Sequence, residues 1–375
     1  MDNNNPFYFS SGLGIAADDF CGRKKEIAEL RGDIKAGMNM LIHASRRYGK
    51  TALLAEILRR EHKDKRKGFY IDLFGVADQT ELMNKYFSEF ARSIEGTDEK
   101  VVRLLLGLFT GVKPDIEIRQ EATGEIALGL SVKRNKREQT LAEVIDLPFR
   151  YAKKHDETIV VMIDEFQEIV PLGLEKKLRS YITQHGRNVS YLFAGSKKSV
   201  LRQMVSESSR PFYQSLKMFP LNGIPIEDWT PFVKAKFKQT GRKIEGEVIR
   251  VIFDISKGCP YYFQRLCYYV WGTTQKNGVA AEKALATALA HIMIEARDYH
   301  VPVWEGLTPL QRKVAKVIAS ETSDIYSREV LLDNELTASQ MQRGIVGLLA
   351  KDVLDKVGND FIFQDPLFGY WLGRE

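Results

Sequence analysis

The sequence predicts an α/β fold: a parallel sheet with helices on both faces, then an all-α segment, then a small C-terminal domain of helices and a β-hairpin. Three observations predict it. Short apolar runs at 40–43, 68–73, 158–163, 190–194 and 218–221 alternate with stretches of helical period, and strands separated by helices connect in parallel. The run at 158–163 (TIVVMI) is apolar throughout, which suits a strand covered on both faces. From 226 to 296 the pattern is helical only.

The elements follow in order. Residues 25–36 read as an amphipathic helix with Ile27, Leu30 and Ile34 on one face. The run 40–43, a polar basic loop and the helical stretch 51–60 form a strand–loop–helix unit. A strand at 68–73 and a helix at 79–94 follow. One segment breaks the rhythm: alternation at 116–120, then Thr123-Gly124, then alternation at 126–132. It reads as a β-hairpin inserted at about 113–133. The basic stretch 133–137 after it reads as a solvated loop. The helical region from 226 is interrupted at Gly258-Cys259-Pro260, and a boundary is expected near 300–306. Thr308, Pro309 and Gln311 make a helix start, as do Thr337 and Gln340. Residues 353–357, the turn Gly358-Asn359-Asp360 and residues 361–363 then form a hairpin, so the C-terminal part reads as a winged helix. The expected division is 1–225, 226–300 and 301–375.

Composition bounds the function. The 375 residues are 44% hydrophobic and 28% charged, the balance of a globular protein with a large core. No apolar run reaches the roughly 18 residues of a membrane span. Residues 1–5 lack the basic and apolar regions of a signal peptide. Cys21, Cys259 and Cys267 have no C-x-x-C spacing and read as buried, reduced thiols. The six histidines are scattered, which disfavours a His/Cys metal site. A cytoplasmic protein with no membrane partner is expected.

The chemistry lies in two motifs. Ala44, Ser45, Arg46, Arg47, Tyr48, Gly49, Lys50 and Thr51 form a phosphate-binding loop at a helix N-terminus, where backbone N–H groups and the helix dipole favour an anion. Lys50 is placed for the β/γ-phosphates and the Thr51 hydroxyl for Mg²⁺. The leading glycine of the strict pattern is Ala44 here, whose Cβ adds crowding unless the position takes negative φ. Asp164 and Glu165 end the run 159–163, so both carboxylates stand at the C-terminal end of a buried strand, where open α/β sheets bind ligands. Asp164 is expected to hold Mg²⁺ and Glu165 to act as general base on the attacking water. ATP and Mg²⁺ are the expected ligands.

Taken together the sequence resembles the archaeal-type AAA+ ATPases, related to the STAND signalling ATPases, over nearly its full length. Phe20-Cys-Gly-Arg-Lys-Lys-Glu26 resembles the family's N-terminal box, with Lys24 where an acidic residue is usual. The resemblance implies that Phe20, Gly22 and Arg23 border the adenine. Ser45-Arg46-Arg47 is similar to the family's Pro-Arg-Arg, and Asp164-Glu165-Phe166 to its Walker B. Phe193-Ala-Gly-Ser196 resembles its sensor-1 strand end, which implies a role for Ser196 at the γ-phosphate or the lytic water. Gly258 and Pro260 resemble the GxP turn of the lid, and Asp365-Pro-Leu-Phe368 is a further family feature. The resemblance also implies an arginine finger: Arg210 is the candidate for an oligomer-dependent one, with Arg202, Arg46 and Arg47 as rivals. Slow basal hydrolysis is expected.

Charge separates the partner classes. Residues 306–375 carry eight basic and ten acidic side chains, and Arg343 is the only basic one in the second helix before Lys351. Phosphate contacts dominate DNA affinity, so this domain is a poor DNA reader. Residues 195–250 carry eleven basic against five acidic. Three readings therefore stand: an ATP hydrolase moving its lid and winged helix, a non-catalytic nucleotide switch with a protein partner or self-association, and a DNA-binding initiator- or regulator-like ATPase.

Overall fold

The computed structural model describes residues 5–7, 14–94, 99–111, 114–120, 126–131, 134–320, 324–358 and 360–374. Residues 1–4, the turn residues Thr123 and Gly124, Lys133 and Asn359, all used in the sequence reading, lie outside them.

The chain runs α1 (Lys24–Lys35), β1 (Met40–His43), α2 (Lys50–Lys63), β2 (Lys67–Asp72), α3 (Gln79–Ser93) and α4 (Glu99–Leu108). The hairpin β3 (Asp115–Gln120) and β4 (Ile126–Ser131) follows, then α5 (Arg137–His155), β5 (Ile159–Asp164), α6 (Glu175–His185), β6 (Val189–Gly195), α7 (Lys198–Ser206) and β7 (Lys217–Pro220). Next come α8 (Ile226–Gln239), β8 (Lys243–Ile244), α9 (Gly246–Ser256), α10 (Pro260–Thr273), β9 (Val279–Ala280) and α11 (Glu282–Glu305). The chain ends with α12 (Pro309–Ser320), α13 (Arg328–Asp333), α14 (Ala338–Ala350), the pair β10 (Leu354–Val357) and β11 (Asp360–Phe363), and α15 (Pro366–Leu372).

β2, β5, β6, β1 and β7 form one parallel sheet in that order. Successive side chains of a strand point to opposite faces, and the buried residues sort accordingly. Val160 and Met162 of β5, with Leu192 and Ala194 of β6, face a core shared with α1, α2 and the helices α8–α11. Ile159, Val161 and Ile163, with Val189, Tyr191 and Phe193, face a second core built with α3, α5, α6 and the β3–β4 hairpin. The hairpin is fixed to α3 by Leu128 and Leu130, and Asn84 accepts the Leu130 backbone N–H at 2.8 Å. A third core, built on Val314, Met341, Ile345 and Leu348, belongs to the C-terminal helices and hairpin.

One reading changes. The region from 226 is not purely helical, because β8 and β9 pair in parallel over two residues, Lys243 with Val279 and Ile244 with Ala280. Runs this short leave no period in the sequence. Within the stretch 300–306, where a boundary is expected, the 24-residue helix α11 passes through Pro302 and stops at Gly306. Burial of Ile292, Ala296 and His300 along one side holds it together. No helix among the described residues is long and apolar enough to cross a membrane.

Candidate nucleotide-binding site

The C-terminal ends of β1, β5 and β6 converge on one cavity of about 450 Å³. The loop from β1 to α2 forms its floor. Left-handed backbone falls at Arg47 (φ 71°) and Gly49 (φ 82°) and not at Ala44. Ala44 therefore needs no glycine freedom, and its side chain is simply buried in the core. Gly49 caps α2, whose first residues are Lys50 and Thr51. The Lys50 ammonium donates to the carbonyls of Ala44 and Ser45, both at 3.1 Å. It is thus folded over the loop whose N–H groups would meet a phosphate.

Thr51 and Asp164 meet across this floor, the Thr51 hydroxyl donating to Asp164 Oδ2 at 2.5 Å. Tyr70 from β2 donates to the same oxygen at 3.2 Å. Burial, then the Asp164 charge, pushes the Tyr70 phenol well above its ordinary pKa, so it stays a donor. Asp164 Oδ1 accepts the Glu165 N–H at 2.9 Å. Glu165 itself takes left-handed backbone (φ 49°), which turns its side chain into the cavity wall. The Ser196 hydroxyl donates to Glu165 Oε2 at 3.0 Å, and the Gln167 amide donates to the same oxygen. Gly195 makes room for this: a Cβ there would lie 2.3 Å from Gln167 Oε1.

The cavity also has an apolar lining, from Ile15, Phe20, Ile224, Trp229 and Pro260. Trp229 is fully buried and stacks on Phe263 with centroids 4.1 Å apart. Five cations line the cavity, Arg23, Arg46, Arg47, Lys50 and Lys197, against Asp19, Glu165 and Glu168. A ring-bearing polyanion fits this mix of apolar and cationic lining.

The sequence-predicted residues fall into four groups. Phe20, Arg23, Arg46, Arg47, Tyr48, Gly49, Lys50, Thr51, Glu165 and Pro260 line the cavity. Asp164 and Ser196 stand behind the wall on Thr51 and Glu165, and Ala44 and Ser45 behind the loop. Gly22 and Gly258 serve packing: a Cβ on Gly22 would lie 2.7 Å from Asp228 Oδ2, and one on Gly258 2.5 Å from the Ile224 carbonyl. The Arg23 guanidinium, which lines the cavity, also donates to the Tyr48 carbonyl at 3.2 Å and steadies the loop. Arg210 does not line its own chain's cavity; it pairs with Glu175 at 3.1 Å. Tyr70, Gln167, Ile15, Ile224 and Trp229 were not singled out in the sequence. Tyr70, Ile15, Ile224 and Trp229 reach the site through tertiary packing, which no local pattern marks, whereas Gln167 stands two residues after Glu165.

One group of contacts has no counterpart in the motifs. The Ser45 hydroxyl donates to Asp355 Oδ2 on β10 at 2.9 Å, a buried bond across 310 residues. Arg47 lies 3.7 Å from Asp365 at the start of α15 and packs over Tyr261 and Tyr262 of α10. The phosphate loop is thereby tied to both the α8–α11 helices and the C-terminal unit.

Comparison with known proteins agrees with this geometry. The family model of an ATPase domain found predominantly in Archaea matches residues 20–266. Among solved structures, a Walker-type ATPase of Pyrococcus abyssi shares the fold at a TM-score of 0.62 and 16% identity, over 98% of this chain and 99% of that one. The ORC2 protein of Aeropyrum pernix, solved as ADPNP–ADP complexes, aligns at a TM-score of 0.56 and 13% identity, over 99% of this chain and 96% of that one. No curated protein sequence matches. With two thirds of its length matched and its loop, carboxylate pair and sheet in place, the chain belongs to the archaeal-type AAA+ ATPase family.

Proposed function

We propose that the protein binds ATP with Mg²⁺, hydrolyses it slowly, and passes its nucleotide state through a helical lid (226–300) to a C-terminal winged helix (301–375). The carrying observation is the Thr51 hydroxyl set 2.5 Å from Asp164, beside Glu165 in the cavity wall. Among the described residues no cluster of three or more His, Cys, Asp or Glu could hold a metal alone. A hydroxyl and one carboxylate suit Mg²⁺, which takes its other ligands from phosphates and water. Thr51 and Asp164 would hold it, and its charge would offset that of the phosphates.

This chain's own groups supply the rest. Lys50 and the loop N–H groups bind the phosphates, and the apolar lining from Phe20, Ile224 and Trp229 receives the base. Glu165, oriented by Ser196 and Gln167, accepts the proton of the attacking water at its carboxylate. Arg210, the candidate oligomer-dependent finger, lies outside its own chain's cavity, so a single chain lacks its contribution. Slow turnover by the isolated chain follows.

A second reading, a switch that binds without turning over, draws on the two donors already engaging Glu165. Phosphate release and nucleotide affinity measured side by side separate the two. Glu165→Gln is expected to keep ATP binding and lose turnover by about 100-fold or more. Binding without any release by the parent chain favours the switch. Retained ATP binding in Lys50→Ala overturns both.

A further inference from the structure

Tyr70 reaches the proposed metal site from outside the two motifs that compose it. β2 pairs with β5 in parallel, Tyr70 opposite Met162 and Asp72 opposite Asp164. Residues two apart on a strand share a face, so Tyr70 stands one pair back from Asp164 on the same side of the sheet. That side packs on α2: Met162 lies in one core with Leu53, Leu54 and Ile57, and the Tyr70 ring packs against it. Thr51 stands in the first turn of the same helix. The ring thus serves the core, while the hydroxyl extends to Asp164.

The donors on Asp164 limit what it can offer a cation. Oδ2 accepts the Thr51 hydroxyl at 2.5 Å and the Tyr70 hydroxyl at 3.2 Å, and Oδ1 accepts the Glu165 N–H at 2.9 Å. A carboxylate has about four lone-pair sites, so Oδ2 is filled and one site is left on Oδ1. Asp164 is buried, and bulk water does not readily replace a donor lost from a buried carboxylate. Thr51 gives Asp164 its hydroxyl proton and keeps its own lone pairs for an ion.

We infer that Tyr70 is a positioning residue that sets the metal preference of the nucleotide site, holding Asp164 to a single contact and so favouring Mg²⁺ over Ca²⁺. The inference rests on the reading of Thr51 and Asp164 as the metal-holding pair. Mg²⁺ is held through one or two carboxylates and keeps several of its waters, whereas Ca²⁺ takes about six to eight oxygens and accepts bidentate carboxylates. With Oδ2 closed by two hydroxyls, the bidentate grip is unavailable. Removing the phenol hydroxyl changes both sides of the choice. Asp164 loses the donor that orients it for Mg²⁺, and a second oxygen opens to Ca²⁺.

The test compares the full chain with Tyr70→Phe, which keeps the ring and removes the hydroxyl. Anisotropy gives the affinity for a fluorescent, non-hydrolysable ATP analogue in EDTA, in saturating Mg²⁺ and in saturating Ca²⁺. The readout is the gain each ion gives over EDTA. In Tyr70→Phe the EDTA affinity is expected to match the parent's, the Mg²⁺ gain to shrink by about 10-fold, and the Ca²⁺ gain not to fall. Thr51→Val is expected to lose the gain from both ions. An undiminished Mg²⁺ gain in Tyr70→Phe overturns the inference, as does an equal fall for the two ions. A fall in EDTA as large as that in Mg²⁺ also overturns it, since damage to the phosphate loop would then be the cause. A parent that does not bind the analogue, or gains nothing from Mg²⁺, fails the nucleotide–Mg²⁺ reading and takes the inference with it. A parent that gains from Mg²⁺ beside a Tyr70→Phe that gains equally fails the inference alone.

Discussion

Cys259 shows how little of a residue's task its type reveals. Its thiol is fully buried and donates to the carbonyl of Arg47, the left-handed residue of the phosphate loop, at 3.4 Å. Cys21 lines the nucleotide cavity yet donates to the Asp228 carbonyl at 3.5 Å. Burial in apolar surroundings pushes both thiols up to about 12, and drives Cys267 well above its ordinary value. All three are therefore neutral thiols at pH 8, and the nucleophilic thiolate is absent. A disulfide reagent at pH 8 is expected to find no reactive thiol in the folded protein and three after denaturation; one fast-reacting thiol in the native state would contradict this. The sequence reading reached the same inert thiols from spacing alone. The site divides differently. Lys50, Thr51, Asp164 and Glu165 were legible because a phosphate loop and a strand-end carboxylate pair are local patterns. Tyr70 and Asp355 were not, since their partners lie 94 and 310 residues away and only the fold brings them together.

At the scale of elements, the crossing of α12 and α14 turns on one glycine. A Cβ added to Gly344 would stand 2.5 Å from Val314 Cγ2 and 2.9 Å from its Cβ, neither of which has a flexible end to move. The helix would gain about 1 kcal/mol in propensity, but overpacking a close helix crossing costs about 1–3 kcal/mol. Gly344→Ala is therefore expected to lower the melting temperature. Gly272, near the end of α10, meets nothing within 4 Å, so Gly272→Ala is expected to stabilise by about 0.4–1 kcal/mol. Opposite signs for one substitution at two helical glycines, read by thermal unfolding, test the packing described here. The same contrast explains which elements could be read in advance. β5 is apolar at every position before Asp164 and α14 opens with a capping box at Thr337 and Gln340, both strong local signals. The two-residue β8–β9 ladder and the passage of α11 through Pro302 depend on neighbours instead.

The whole molecule is joined at the phosphate loop, where Asp355 reaches Ser45 and Asp365 reaches Arg47. The Asp365 carboxyl is perturbed by its surroundings. Its burial pushes the carboxyl up, yet hydrogen bonds from His300 and Tyr262 and the charges of His300 and Arg47 outweigh that and hold it below its ordinary value. The unfolded chain then binds the proton more tightly than the folded one. The stabilisation is complete above the ordinary aspartate value of about 3.9 and disappears as pH falls through the lower folded value. Asp365 also caps α15, accepting the N–H groups of Leu367 at 2.9 Å and Phe368 at 3.2 Å. Asparagine caps as well as aspartate, so Asp365→Asn removes the charge and keeps the cap. The expected loss is about 1–3 kcal/mol at pH 7, and it closes below about pH 4. Urea unfolding of the two proteins at pH 7, 5 and 3 checks it. A gap that persists undiminished at pH 3 would show that the tie between Asp365 and Arg47 rests on packing and not on charge.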